Sequence, residues 1–444
     1  WLAGYQEEIS WVAEQNISAS DAIQKEWQEW LSGSKSMGTP VVSLKTAQWD
    51  QGDPYNRKTP TIGDQHALTG CVATAMAIIM EYHQFPDKPV VASSEVSYTV
   101  NGEPRTETIP YADTHYDWNV MSNIDYNSGN VSFADADAVA ELMWHCGANA
   151  HMNYGLSEQG GSSAQFVDAA QALRNIFGYS ATRRVAKNYY TWSEWTNLVK
   201  NELNNHRPVY YDGQDQNNLG GHAFICDGYT SDDYFHINWG WGYRNPASYN
   251  DYYLLTCLDA EGTNYDFSRD CGMMLDVYPT DRQPEVELRF NNLTCDFPLQ
   301  VGVDFTITCG MRNIGGASFI GSVGIGVVAN DGTIKNVLSE VIVGTEENPL
   351  LEDYGWTNGF PFGCYISEPL ADGEMLVPIY KTTDGDWQVM EGDVKGIGMD
   401  GIIEKEEEEE PLPTVTVQRL SNPFSFRYMA VDDAYYGYSD WEFD

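Results

Sequence analysis

The sequence predicts a mixed α/β domain followed by an all-β domain, on three observations. An uninterrupted helical stretch begins at Cys71, with Val72, Met76, Ile79, Met80 and His83 at i, i+3/i+4 spacing. Strand-like runs crowd residues 208–241: Val209-Tyr210-Tyr211, Ala223-Phe224-Ile225 and Tyr234-Phe235-His236-Ile237, the last two separated by turn residues Thr230 to Asp233. From about residue 285 the texture is strand throughout. Val303, Phe305, Ile307 and Cys309 alternate with Asp304, Thr306 and Thr308, and Val323, Ile325 and Val327 alternate with glycines before the turn Asn330-Asp331-Gly332. Short strands with regular turn signals point to an immunoglobulin-like sandwich.

Three segments follow. Residues 1–40 read as a helical hairpin and connector. Leu2, Tyr5, Ile9 and Val12 form one apolar stripe, Ser20 caps a second helix striped by Ile23, Trp27, Trp30 and Leu31, and residues 34–40 are small and cleavable. Residues 41–284 form the mixed domain, with further helical patterns around 134–146, 163–177 and 191–205. Residues 285–444 form the all-β domain, interrupted by the acidic run 404–410, read as a solvated loop, and resumed by alternation at Val415 and Val417.

Composition limits the partners. A hydrophobic fraction of 42% and an aromatic fraction of 13% mark a globular chain. A formal charge of −41 opposes nucleic acid and anionic membrane surfaces, which would repel it. The longest apolar runs fall far short of the ~20 residues that cross a bilayer, so no membrane-spanning segment is expected. The sequence starts at Trp1 without a signal peptide, which reads as a processed form. Eight cysteines without a C-x-x-C pair or a His/Cys cluster argue against zinc. Bridges Cys257–Cys271 and Cys295–Cys309 are conceivable.

The chemistry gathers around Cys71. Gly70 marks a tight entry into the helix, so Cys71 sits in the first turn, where unpaired N–H groups favour a thiolate. A lone cysteine on an apolar helix is otherwise a core residue; a nucleophile needs a base, a group that orients the base, and oxyanion donors. His222, in Gly220-Gly221-His222-Ala223, is the best-placed base, because the glycines permit close approach. His222 and Asn238 are symmetric about the turn at residue 230, so they are expected roughly opposite each other on adjacent strands, with Asn238 orienting the imidazole. Asp227 is a rival, but its odd spacing from His222 sets it on the other face. Trp239 and Trp241, in Asn238-Trp239-Gly240-Trp241-Gly242, would shield this pair from water, although Trp241 equally suits a core tryptophan. Gln51, in Trp49-Asp50-Gln51, is the candidate oxyanion donor beside the Cys71 N–H.

Four motifs in order, Trp49-Asp50-Gln51 with Pro54-Tyr55-Asn56, Thr69-Gly70-Cys71-Val72-Ala73-Thr74-Ala75 with Tyr82-His83, Gly221-His222-Ala223, and Asn238-Trp239-Gly240-Trp241-Gly242, resemble the streptopain family of bacterial cysteine endopeptidases. The resemblance covers roughly residues 41–280. It implies an α+β papain-like cysteine protease domain, Cys71 as nucleophile, His222 as base, Asn238 as orienting residue, Gln51 as oxyanion donor, Trp239 as shield, and no cofactor or metal. It also implies polypeptide substrates with a hydrophobic residue two positions before the new C-terminus, secretion or cell-surface location, and latency imposed by an N-terminal prosegment, of which residues 1–40 resemble only the final part. Papain's own Gly-Ser-Cys-Trp signature is absent, although Cys precedes His in papain-like order. Two other functions use the same fold: a catalytically silent binding or adhesion protein, and a transglutaminase-like acyl transferase on a related Cys–His core.

Overall fold

A computed structural model describes residues 38–123, 125–126, 131–242, 251–260 and 263–405, with short strands at 417–419 and 426–428. The expected hairpin over residues 1–33 and most of the acidic run lie outside the described residues. Of the expected strands beyond residue 414, Val417–Arg419 and Phe426–Tyr428 are described, and they pair antiparallel with each other. Residues 40–408 form one compact unit.

Strand alternation builds the first part of this unit. β1 (Pro40–Ser43) is followed by the small hairpin β2 (Thr61–Ile62) and β3 (Gln65–His66), and then by helix α1 (Cys71–His83). The hairpin β4 (Ser93–Val100) and β5 (Glu103–Pro110) comes next, with α2 (Trp118–Asn123), α3 (Phe133–Asn149), β6 (Asn153–Tyr154) and α4 (Phe166–Asn175). β7 (Arg183–Ala186), α5 (Trp192–Asn204), β8 (Val209–Gln214), β9 (Gly221–Thr230), β10 (Phe235–Asn238), β11 (Asp251–Tyr253) and β12 (Arg269–Leu275) complete it. The main sheet runs β11-β10-β9-β8-β12-β7, with β1 also on β9. Successive side chains point to opposite faces. Tyr210, Ala223, Ile225 and Met274 therefore join the core beneath α1, α3 and α4, while Tyr211, Phe224, Cys226 and Met273 pack with Trp195, Val199 and Leu203 of α5.

Helix α1 occupies the expected residues, but its apolar stripe is only part of what it buries. Every residue from Val72 to Met80 is buried. The alanines at 73, 75 and 77 leave room for neighbouring elements on the sides that the stripe does not cover. The three other expected helices appear as α3, α4 and α5. Thr191 opens α5 with a capping box: the Glu194 N–H donates to Thr191 Oγ1 (3.2 Å) and the Thr191 N–H donates to the Glu194 carboxylate (2.9 Å). The hairpin β4–β5 adds to the expected elements, and its turn is Asn101-Gly102, both at positive φ.

The second part is strand-rich, as its alternation requires. β13 (Leu288–Thr294), β14 (Phe305–Asn313), β15 (Gly321–Ala329), β16 (Ile334–Gly344), β17 (Gly355–Cys364), β18 (Glu374–Thr382), β19 (Gln388–Val389), β20 (Glu391–Gly392), β21 (Gly396–Ile397) and β22 (Ile402–Ile403) form two sheets. Their orders are β17-β14-β13-β20 and β16-β15-β18-β21-β22, with β19 on β18. Inward residues of both sheets, among them Phe290, Ile307, Cys309, Ile325, Phe362 and Ile379, share one core. All eight cysteines are free, so neither conceivable bridge forms.

The two parts meet through buried side chains. Ile314, just beyond β14, is fully buried within the α5-side core of the first part. Ile314→Ala should therefore cost about 2–5 kcal/mol and lower the urea midpoint followed by tryptophan fluorescence. An unchanged midpoint would mean that this contact contributes nothing to the first part.

Candidate active site

The first functional element is the entry to α1. Gly70 has φ 86°, in the left-handed region that favours glycine, and it delivers Cys71 as the first helical residue. The turn is tied inward. Thr74 donates to the Gly70 carbonyl from its N–H (3.0 Å) and from Oγ1 (3.0 Å), and Ser162 Oγ donates to the Leu68 carbonyl (2.7 Å). The Thr69 N–H donates to the Gln51 carbonyl (3.0 Å), which fastens the Gln51 loop to the nucleophile turn. The Gly242 N–H donates to the Trp49 carbonyl (3.0 Å), which fastens the same loop to the stretch after β10. Four segments distant in sequence thus converge.

Cys71 is half-buried, and the backbone N–H groups of Ala223, Val72 and Cys71 itself lie near its sulfur and favour the thiolate. Burial pushes the thiol above its ordinary value. Those N–H groups pull it down, and Asp212 pushes it up. The helix terminus alone does not make Cys71 a thiolate, because desolvation outweighs it.

Ala223 follows His222, so the histidine is adjacent in the chain to the strand N–H that lies near the sulfur. Its ring is buried among aromatics. The ring centroids of Trp241 and Phe267 lie 4.6 and 5.0 Å away, and Phe224 and Trp239 stack at 5.9 and 6.2 Å. Nε2–H donates to the Trp239 carbonyl (2.8 Å), and this leaves Nδ1 as the unprotonated nitrogen of the neutral ring. Burial lowers the imidazole to about 4, with the Trp239 carbonyl opposing. Cys71 and His222 are therefore a neutral thiol and a neutral imidazole in this arrangement.

The hairpin register differs from the expectation. Asn238 pairs with Ile225, and His236 pairs with Gly228. The turn runs from Thr230 to Tyr234 with Asp233 at positive φ, and a bulge falls between His236 and Ile237. The turn sets the axis of the hairpin beyond residue 230 and the bulge does not bring it back there, so Asn238 is not level with His222. Among the described residues, the imidazole bonds to the backbone one residue beyond Asn238. Asn238 is fully buried; Nδ2 donates to Thr46 Oγ1 (2.9 Å) and the Ala47 carbonyl (3.0 Å), and Oδ1 accepts from the Gly240 N–H (3.1 Å). Asp227, the rival orienter, is engaged elsewhere: it accepts from Thr46 Oγ1 and pairs with His236 Nδ1, both at 2.5 Å. Thr46, His236 and Phe267 were not among the candidates. Their roles depend on long-range contacts that leave no spacing signal.

Trp239 is fully buried and stacks on Trp241 at 5.7 Å. Gln51 is half-buried, with its N–H on the Asp50 carboxylate (2.6 Å). Among the described residues, no group of three or more His, Cys, Asp and Glu side chains is gathered as for a metal ion. No described helix is long and apolar enough to cross a membrane.

Residues 49–253 match the family model of the peptidase C10 family. Streptopain of Streptococcus pyogenes is 33% identical over 232 residues, 48% of this chain and 56% of its own length. The thiol protease/hemagglutinin PrtT of Porphyromonas gingivalis is 32% identical over 255 residues, 54% of this chain and 27% of its own. The solved structure of active wild-type interpain A cysteine protease from Prevotella intermedia is 33% identical, covering 55% of this chain and 96% of that one, with a TM-score of 0.48. The chain spans about half the length of the streptopain relatives it matches.

The buried imidazole has a consequence for stability. Its value in the folded chain, about 4, lies below the ordinary ~6.5 of an unfolded histidine. The unfolded chain therefore takes up the proton first. This contribution is complete above pH ~6.5 and is lost as pH falls towards 4, amounting to about 3 kcal/mol. Denaturation measured across this range should show His222→Phe losing about one proton of uptake relative to the parent; an unchanged slope would contradict a buried neutral ring.

Proposed function

The chain belongs to the peptidase C10 family, and from that premise we propose that it is a streptopain-like cysteine endopeptidase with a papain-like catalytic domain over residues 41–284. The observation that carries this reading is the packing of Cys71 against the core that contains Ala223, immediately after His222, with the Gln51 loop bonded to the nucleophile turn. No silent binding protein needs that convergence.

The mechanism follows from these groups. The imidazole leaves its aromatic cage and presents Nδ1 to the Cys71 sulfur, with Asn238 as the residue that orients it. Nδ1 takes the thiol proton, which creates a thiolate–imidazolium pair. The sulfur attacks the scissile carbonyl carbon, and the oxyanion is held by the Gln51 carboxamide and the Cys71 N–H. The imidazolium then protonates the departing amine, and water cleaves the thioester to release the acid. Trp239 and Trp241 exclude water from the His222–Asn238 side, which strengthens hydrogen bonds there. The neutral pair described above is the resting form.

Residues 1–40 are the last part of a prosegment and its connector, so the substrate closest at hand is the chain itself. Residues 285–444 form an immunoglobulin-like sandwich; two sheets around one core support this. Family membership supports secretion or a cell-surface location and polypeptide substrates.

Incubation of the full chain under reducing conditions, followed by N-terminal sequencing, should reveal cleavage between Gly33 and Val41, absent in Cys71→Ala. Casein hydrolysis should likewise vanish in Cys71→Ala, and Gln51→Ala should lower kcat about 10²–10³-fold. Casein cleavage that survives Cys71→Ala would refute the assignment. Ligation of a supplied amine in place of hydrolysis would identify an acyl transferase instead.

A further inference from the structure

A buried row of alternating charges runs from the catalytic sheet into the strand-rich part. Asp212, on β8, pairs in register with Ala223, whose N–H lies near the Cys71 sulfur and which belongs to the core that Cys71 packs against. Its carboxylate is fully buried and receives Arg184 at two points, Nη2 (2.6 Å) and Nε (3.0 Å). Arg184, on β7, turns its remaining Nη1 to the Asp353 carboxylate (3.3 Å), and Asp353 in turn pairs with Arg312 of β14 (2.8 Å). Only about a tenth of the Arg184 and Asp353 side chains is exposed. Burial works against the Arg184 charge, but Asp212 and then Asp353 more than offset it and keep the guanidinium protonated. The row is built for close approach: a Cβ on Gly272 would lie 2.2 Å from Arg184 Nη2 and 2.8 Å from Asp212 Oδ1.

Buried charges interact over longer distances than exposed ones, because little water screens them. The Asp212 charge opposes formation of a thiolate at Cys71, and Arg184 counters it. Tyr210 of β8, whose hydroxyl has no hydrogen-bond partner among the described residues, is a further titratable group facing this site, whereas the His222 ring of β9 lies with Phe224 on the other face of the sheet. The strand-rich part is firmly seated at this edge. Arg183 pairs with Glu287 (2.7 Å), Arg289 lies 3.9 Å over the Tyr190 ring, and Asn291 Nδ2 donates to the Asn188 carbonyl (3.1 Å).

We propose that the strand-rich part completes the catalytic site, with Asp353 and Arg312 closing an alternating charge row that acts through Arg184 and Asp212 on the Cys71 sulfur. These four are positioning residues that set the electrostatic field at the nucleophile without touching substrate. The consequence for catalysis rests on Cys71 being the nucleophile, but the charge effect itself does not.

The test is alkylation of Cys71 by iodoacetamide in the full chain, read by mass spectrometry on the Cys71 peptide as a function of pH. The sign of each shift should follow the sign of the charge removed. Arg184→Gln should raise the pH midpoint by about one unit, making alkylation about tenfold slower below it, and Asp212→Asn should lower the midpoint. Asp353→Asn should lower it and Arg312→Gln raise it, each by about twofold in rate. The paired variants Arg184→Gln/Asp212→Asn and Asp353→Asn/Arg312→Gln should return towards the parent. These pairs also keep the test decisive where a single variant fails to fold. Shifts all in one direction, or none from Asp353→Asn and Arg312→Gln, would overturn the proposal. Because no peptide is hydrolysed in this assay, a chain without peptidase activity would still give the charge pattern.

Discussion

The structure depends on one contact, the seat of the first turn of α1 against β9. Gly70 turns the chain so that the helix begins at Cys71, which packs against the core that contains Ala223, near the start of the strand that carries His222. Everything else in the site is fixed relative to that contact. The Gln51 loop is bonded to Thr69 on one side, and through Trp49 to Gly242 on the other. The helix behind Cys71 is buried on all sides, so the sulfur cannot retreat without disrupting the core.

A second property follows from how deeply the contact is buried. Desolvation favours the uncharged forms of both partners, so the thiol is raised and the imidazole is lowered to about 4. The aromatic cage and the Trp239 carbonyl give the neutral ring a well-defined position. In the proposed mechanism the ion pair forms only when the ring turns towards the sulfur, so the stability of the cage governs how readily the enzyme becomes competent. On that mechanism His222 is a two-state element, with the caged position suited to a neutral ring and the position at the sulfur suited to a charged one.

Local features were legible in the sequence and long-range ones were not. Helix α1 and its start at Cys71 follow from Gly70 and the uninterrupted apolar spacing, and α5 from Thr191 and Glu194 at capping-box spacing. The strands around His222 and Asn238 follow from their alternation. The register between them does not, because it depends on the bulge at His236/Ile237 and on the length of the turn at Thr230–Tyr234, which alternation does not mark. The β4–β5 hairpin carries a readable Asn101-Gly102 turn. Arg184, Asp212 and Asp353 are joined by folding alone, since nothing in their spacing announces that they will touch.

The strand-rich part therefore bears on the chemistry as well as on stability, with Ile314 in the core of the first part and Asp353 on Arg184. The central claim remains that Cys71 and His222 act together on a peptide carbonyl. The most direct measurement is a crystal structure of the full chain after reaction with a peptidyl electrophile. The account predicts a thioether on Cys71, the His222 ring out of its cage with Nδ1 within hydrogen-bonding reach of the sulfur, and the Gln51 carboxamide facing the former carbonyl oxygen. A label on another cysteine, or a His222 ring still bonded to the Trp239 carbonyl beside a bound peptide, would contradict it.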